Sequence, residues 1–593
     1  EYIVSKDGKL LEKRIGKKEK MRVRDYATER TIEIPVPKNK VFAQVLTERE
    51  IAEIAQYGLQ LEKFYGKPQD IEGAIEKNRV YILQTRPITA IGEKRELKVE
   101  KEPILKGLGA SPGIATGKVK IVHSLDDIGK VEKGDILVTR MTSPDLVPTM
   151  SKCSAIITDE GGKTCFSGDT LILTSEGFLT MKDVYELVNN GKNLFVISYD
   201  SRINSFVWKR VINVFKKKSN VIEISVSMRG NLEDNTLKVT PDHKFVIVER
   251  RKLKKKKIED ILREKEKIIV PAKIPELNVL FSFPEVAYLV GAMVSDGYWK
   301  VFPGKRKYRR GCIIFTQHPS PEKMEMINHV KLLFSQLFQI PLTEIGKTSL
   351  SEVRRKEIQG YALDFGGYGL KTALFFQKVY QRLEKFVLIL DEESLLNLLA
   401  GIIDGDGSYS NGRIQIYVSD KKLLKTLIIA CLRLGILPQL TKNRNIFNLQ
   451  IVERISDILK RTKRFKEKDI PKRVVGTRFI DAKSIFEDIL EEVNFQGKIK
   501  PYVDKELLIG KDKVLKITRF LGERRKEIEK ILDMDLTMFR VRKVGKIKGI
   551  EVFDLEVEGR NELDHTYVVF TSRFTPLLVS NCHAAIVSRE LGI

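Results

Sequence analysis

The sequence predicts a multidomain α+β protein in which an all-β module is split by an inserted α+β domain. Three observations lead there. The chain has 593 residues, which at roughly 150 residues per domain makes about four domains. Short strand-like runs bounded by turn residues (GDTLILTSEGF, NLFVISYD, TLKVTPDHKFVIV) give way near residue 284 to helical and mixed periodicity, then resume near 541 (GIEVFDLEVEG, HTYVVF). The net charge of +26 is also unevenly spread: residues 1–164 hold 30 basic and 25 acidic residues and 582–593 one of each, which leaves +21 on 165–581.

Composition narrows the class. With 42% hydrophobic and 31% charged residues, a disordered or collagen-like chain is excluded. No run of 18 apolar residues and no signal segment occur, so no membrane partner is expected and the cytoplasm is the expected compartment. The five cysteines are scattered without CxxC spacing, which argues against a disulfide framework or a structural zinc site. Excess Lys and Arg point to a polyanion, although a Lys/Glu-rich chain also fits heat adaptation. Glu1 opens without Met and AAIVSRELGI stops inside a helical pattern, so the chain reads as a fragment at both ends.

In order along the chain, residues 1–92 mix a helical segment (TEREIAEIAQYGLQLEKFYG) with a strand-like close (RVYILQTRPITAI), the end of an α/β or α+β domain. A charged linker, GEKRELKVEKEP, leads into a small domain over 93–164 with Gly- and Pro-punctuated strands. The all-β module occupies 165–283 and 541–581. Between its halves lie a mixed domain at 284–490, with two apolar helices each ending in Asp-Gly, and a helical addition at 491–540.

The flanks of the middle segment fit each other. Joining Thr164 to Cys582 gives ITDEGGKTCHAAIVSREL, a strand, a Gly-rich turn and a helix start. That stretch resembles the phosphohistidine signature of the phosphoenolpyruvate synthase (pyruvate, water dikinase) family, with His583 as the phosphoryl carrier at a helix N-terminus, where backbone N–H groups favour an anion. Residues 1–92 resemble the end of that family's ATP-grasp domain. The resemblance implies Glu72 and Gln84 as Mg²⁺ ligands and Arg86 as an ATP-phosphate contact, and residues 93–164 with 582–593 as a swivelling phosphohistidine domain. It further implies the reaction of ATP, pyruvate and water to phosphoenolpyruvate, AMP and phosphate, and leaves a homo-oligomeric host enzyme open.

The segment 165–581 resembles a self-splicing intein with a Hint fold. Cys165 opens CFSGDTLILTSEGF and can attack the carbonyl before it. The TPDH run places Thr240 and His243 at the scissile peptide, and EVFDLEVEG followed by DHTYVV supplies Asp554 and His565. SNC ends the segment with Asn581, able to cyclise, and Cys582, a second nucleophile. The family usually carries His before the terminal Asn. Here Ser580 stands there, so His565 or water is expected to carry more of the cyclisation and splicing to be slower or to need heat.

Within the β module, LVGAMVSDG (289–297) and LAGIIDGDG (399–407) are similar to the LAGLIDADG motif of homing endonucleases. The resemblance implies two closely packed helices whose Asp296 and Asp406 hold Mg²⁺ against double-stranded DNA at the insert-free gene. The first copy departs from the motif at Val294 and Ser295. The runs 251–257, 304–310 and 460–468, with Tyr298, Trp299 and Tyr308, are candidate DNA contacts. The expected function is thus a dikinase precursor interrupted by a splicing, DNA-cutting intein. A splicing-inactive insert acting only as a nuclease is the alternative, and a purely basic nucleic-acid-binding protein would need neither splice joint.

Overall fold

The computed structural model describes the chain apart from residues 88–113, 140–146, 159–164, 229–233, 304–309, 350–360, 466–477, 491–498, 559–561 and 581–593, and shorter stretches of one to four residues, most of them before residue 40. It divides into two compact units, Glu1–Asp159 with Val587–Ile593, and Glu160–Ile586. Among the described residues no helix is long and apolar enough to cross a membrane.

In the first unit, the helix Glu48–Tyr65 starts at a capping box between Thr47 and Glu50 and ends on Gly66, whose φ of 65° is the left-handed turn that glycine adopts without cost. Antiparallel strands Gln69–Glu76 and Arg79–Pro87 follow. Three parallel strands, Val119–Val122, Ile136–Thr139 and Ala155–Thr158, then pack on a small core of Val122, Val131, Leu137, Met150 and Cys153.

The second unit is built on one twelve-stranded sheet drawn from both sides of the insertion. Its spine is the pair of long strands Ser205–Ser227 and Leu536–Val557, antiparallel with Val211 opposite Val557 and Ser227 opposite Arg540. The short strand Phe166–Ser167 lies between the second of these and Thr236–Val239. The strand Pro576–Ser580 pairs with Thr566–Phe570 and touches Lys244–Glu249. Sequence ends more than 400 residues apart are therefore brought into one sheet.

The inserted region is a duplication. The helix Pro284–Asp296 leads into a four-stranded antiparallel sheet with Gly297–Phe302, Arg310–Gln317, Tyr361–Tyr368 and Thr343–Ser349 adjacent in that order. The helix Glu392–Asp406 leads into Gly407–Ser410, Arg413–Val418, Ile446–Ile451 and Gln439–Asn443, arranged alike. The two helices face each other across glycines: a Cβ on Gly291 would lie 2.2 Å from the Leu398 carbonyl oxygen, and one on Gly401 2.2 Å from that of Tyr288. Backbone cannot yield as a flexible side chain can, so Gly401→Val should destabilise this region by about 3 kcal/mol, the upper end for overpacking, measured by guanidinium unfolding.

The helical addition begins earlier than residue 491, because Phe479–Asp481 pairs with Leu508–Gly510 and carries Ala482–Phe486 with it. The helices Lys511–Ile517 and Gly522–Asp533 follow, and the long strand then resumes at Leu536. Buried Lys267 and Asp481, 3.2 Å apart, tie the β sheet to this addition. Glu384 of the duplicated region accepts the Phe178 N–H of the sheet at 2.6 Å.

Candidate functional site

Thr240 holds the start of the β module from two sides. Its Oγ1 accepts the Cys165 N–H at 2.9 Å, and its own N–H donates to the Cys165 carbonyl at 2.9 Å. Cys165 is 1% exposed and packs with Val221 and Val552. One turn on, the His243 N–H donates to the Thr240 carbonyl at 3.0 Å, and the imidazole lies 4.2 Å from the Phe166 ring, centroid to centroid. The ring is fully buried, and neither of its nitrogens has a hydrogen-bond partner among the described residues. Thr164 and its carbonyl lie outside them.

Burial pushes the His243 imidazole down to about 3, so it is neutral at ordinary pH. The unfolded chain binds a proton there from pH 6.5 downward while the folded chain does not. Stability present above 6.5 is therefore lost as pH falls toward 3, at about 1.4 kcal/mol per unit. His243→Gln should flatten the acid limb of the melting temperature measured against pH.

Asp554 and Tyr567 lie on the other side of the Cys165 strand. Phe553 is the register partner of Phe166, which sets the following Asp554 beside the Cys165 strand. Asp554 Oδ1 accepts the Tyr567 hydroxyl at 2.5 Å and the Leu555 N–H at 2.8 Å. Tyr567 is fully buried, and burial, followed by the charges of Asp554 and Cys165, pushes its phenol well above the ordinary value. Tyr567 lies in the strand-like run HTYVVF and was not singled out from the sequence. His565 is buried one residue before Thr566, the register partner of buried Ser580. Asn581, Cys582 and His583 lie outside the described residues.

The second centre is the shared end of the two packed helices. Asp296 accepts Gln317 Nε2 at 2.8 Å, and Lys323 Nζ donates to Gln317 Oε1 at 2.6 Å and to the Gly405 carbonyl at 3.1 Å. Lys323 thus links the Asp296 side to the residue before Asp406. Burial, then the Asp406 charge, push the Asp296 carboxyl up to about 7 against the pull of Lys323. Carboxylates crowded in this way fit a hard divalent cation. No group of three or more His, Cys, Asp or Glu suited to an ion occurs among the described residues, so such an ion would need further oxygens from DNA or water.

Gln317 and Lys323 carried no signal in the sequence, since only the fold turns them to Asp296. The equivalent position beside Asp406 is Val418, by the matching registers of Gly297 with Phe315 and Gly407 with Ile416. Asp404 is a separate buried group. It accepts the Tyr288 hydroxyl at 2.6 Å and the N–H groups of Lys463 and Arg464 at 2.7 and 3.0 Å, which ties the helices together.

Other expectations fare differently. Glu72 and Gln84 are register partners in one hairpin, as are Asp70 and Arg86. The run 251–257 is corrected: it forms the strand Lys252–Lys257 of the β sheet, and its cations are mostly compensated. Arg251 pairs with Asp488 and Glu527, Lys254 with Glu249, Lys256 with Glu264 and Glu266, and Lys257 with Asp242. Trp299 is corrected as well, because it packs inward on Phe376 and Tyr380 while Tyr298 stays exposed. In 460–468, Arg461 pairs with Glu393, and residues past 465 lie outside the described ones, as do 304–309 with Tyr308.

A β sheet interrupted by a duplicated α+β insert, with two small domains' worth of sequence before it, is the class these features define. Residues 1–104 match the family described as pyruvate phosphate dikinase, AMP/ATP-binding domain, residues 131–167 the PEP-utilising enzyme, mobile domain, and residues 393–468 the LAGLIDADG-like domain. A probable phosphoenolpyruvate synthase of Methanocaldococcus jannaschii is 38% identical over 616 aligned residues, covering all of this chain and 50% of the relative. One from Archaeoglobus fulgidus is 49% identical over 164 residues, 26% of this chain and 22% of the relative. The flanks of the chain are thus similar to phosphoenolpyruvate synthases, and the chain spans about half the length of the longer-matching relative. Among solved structures, I-DmoI in complex with DNA and Mn is 17% identical and covers 28% of this chain and 89% of that one, at a TM-score of 0.23.

Proposed function

We propose that residues 165–581 are an intein that excises itself and joins Thr164 to Cys582, and that its duplicated domain cuts double-stranded DNA with a divalent cation. The observation that carries the first part is the clamp of Thr240 on both backbone polar groups of Cys165, beside a buried neutral imidazole with open nitrogens.

The chemistry follows from the groups present. Cys165 Sγ adds to the Thr164 carbonyl carbon and the Thr164–Cys165 C–N bond breaks. The thiol proton moves to the departing nitrogen through His243, which starts neutral and so can accept it before donating it. Cys582 Sγ then displaces Cys165 Sγ from the thioester, Asp554 passing the proton from the incoming to the outgoing thiol. The Asn581 side-chain nitrogen attacks its own carbonyl carbon, closes a five-membered ring and releases the Cys582 amine, with His565 polarising this region. That amine takes the acyl group from its own sulfur, which leaves an ordinary Thr164–Cys582 peptide bond.

Ligation places His583 directly after GGKTC. In the mature enzyme it would carry a phosphoryl group between ATP and pyruvate, with Glu72 and Gln84 as Mg²⁺ ligands and Arg86 on the ATP phosphates. The bound Mg²⁺ would neutralise phosphate charge. The precursor should lack this activity, because its phosphohistidine sequence is interrupted.

Intact mass of the full chain, before and after warming, tests the reading. The expected result is a 417-residue piece and a 176-residue ligated piece. A chain that stays at 593 residues at every temperature overturns the splicing assignment, and the nuclease-only reading that Ser580 favours takes its place.

A further inference from the structure

We infer that Tyr567 is a positioning residue of the splicing centre, holding the Asp554 carboxyl group for proton exchange with Cys165. The inference rests on the splicing reading and extends it to a residue outside the motif positions that suggested it.

Tyr567 is fully buried, so its hydroxyl must be satisfied inside the protein, and the group it donates to is the Asp554 Oδ1 at 2.5 Å. That same oxygen accepts the Leu555 N–H at 2.8 Å. Two donors converging on one oxygen fix the plane of the carboxyl group, where a single backbone bond would leave it free to rotate about its Cβ–Cγ axis. The Tyr567 ring is held by its own contacts: Phe166 lies edge-on at 6.3 Å, and Tyr567 is the register partner of Val579, two residues before Asn581. Tyr567 therefore sits where the strand of the first nucleophile, the carboxylate and the strand leading to the last splice joint meet. A tyrosine placed only for packing would gain as much from phenylalanine, without a buried hydroxyl to satisfy.

Donation to the ionised carboxylate favours that form, and thiol exchange needs the carboxylate as proton acceptor. Tyr567→Phe in the full chain should leave the fold intact but lower the ratio of ligated 176-residue product to dithiothreitol-cleaved 164-residue piece about tenfold, or about 1.4 kcal/mol. The acid limb of ligation against pH should move upward. Replacing Tyr567 by 3-fluorotyrosine keeps the hydroxyl and makes it a better donor, so that limb should move downward. In an Asp554→Asn background, Tyr567→Phe should have no further effect, because the group it acts through has lost its charge.

Melting temperature serves as the fold control. If Tyr567→Phe does not fold, the fluorotyrosine shift and its direction carry the test alone. A wild-type ratio and pH profile in Tyr567→Phe, no shift with fluorotyrosine, or full additivity with Asp554→Asn would overturn the inference. A wild-type chain that neither ligates nor cleaves with dithiothreitol removes the splicing reading itself, which is a different failure.

Discussion

Replacing Cys165 by Ala should abolish the 176-residue ligated product and every product cut after Thr164. The bond after Thr164 is an ordinary amide, and on the splicing reading its lability would come from one sulfur attacking its carbonyl carbon through a five-membered ring. Alanine supplies no nucleophile, and the Thr240 clamp and His243 then have nothing to hand a proton from. Asn581→Ala should fail later. Thioester and branched species still form, so dithiothreitol should release a 164-residue piece and a 429-residue remainder, with no 417-residue intein. Intact mass with and without thiol separates the two. Ligated product from the Cys165→Ala chain would place the nucleophile elsewhere and end the assignment.

The residues proposed to react could be named from the sequence because the proposed chemistry would dictate residue type at each joint: Cys165 first, Asn581 last, with Thr240 and His243 in the run between. Tyr567 was not, since its partner Asp554 lies 13 residues earlier on another strand and the bond exists only once both strands enter one sheet. Gln317 and Lys323 were hidden for the same reason: they reach Asp296 from a strand end and a helix start, and sequence spacing does not encode that reach. The run RKLKKKK was misread because its acidic partners lie on other elements, some near in sequence, as Glu249 and Glu264 are, and some far, as Asp488 and Glu527 are, so the run taken alone shows only the cations. Trp299 was misplaced because GYWKVF puts two aromatics side by side, and only the strand's packing decides that Tyr298 faces out and Trp299 in.

Asp406→Asn, and separately Asp296→Asn, should abolish cutting of a duplex that encodes the uninterrupted GGKT–CHAA junction, by on the order of 10³-fold or more, while splicing proceeds unchanged. The two helices bring two carboxylates to one end, and burial, then the Asp406 charge, raise the Asp296 carboxyl to about 7. A divalent ion must displace that proton. At limiting Mg²⁺, cleavage should therefore rise about tenfold per pH unit up to about 7 and level off above it, while saturating Mg²⁺ shifts the midpoint downward. Chelation with EDTA should stop DNA cutting and leave the splicing products untouched, because the proposed Cys165 chemistry needs only proton transfer among side chains and no metal. Plasmid linearisation and intact mass, read from one incubation, test both halves. If EDTA or either Asp substitution blocked splicing, the two centres would not be chemically separate, and an insert that edits both its host protein and its host gene would need a different account.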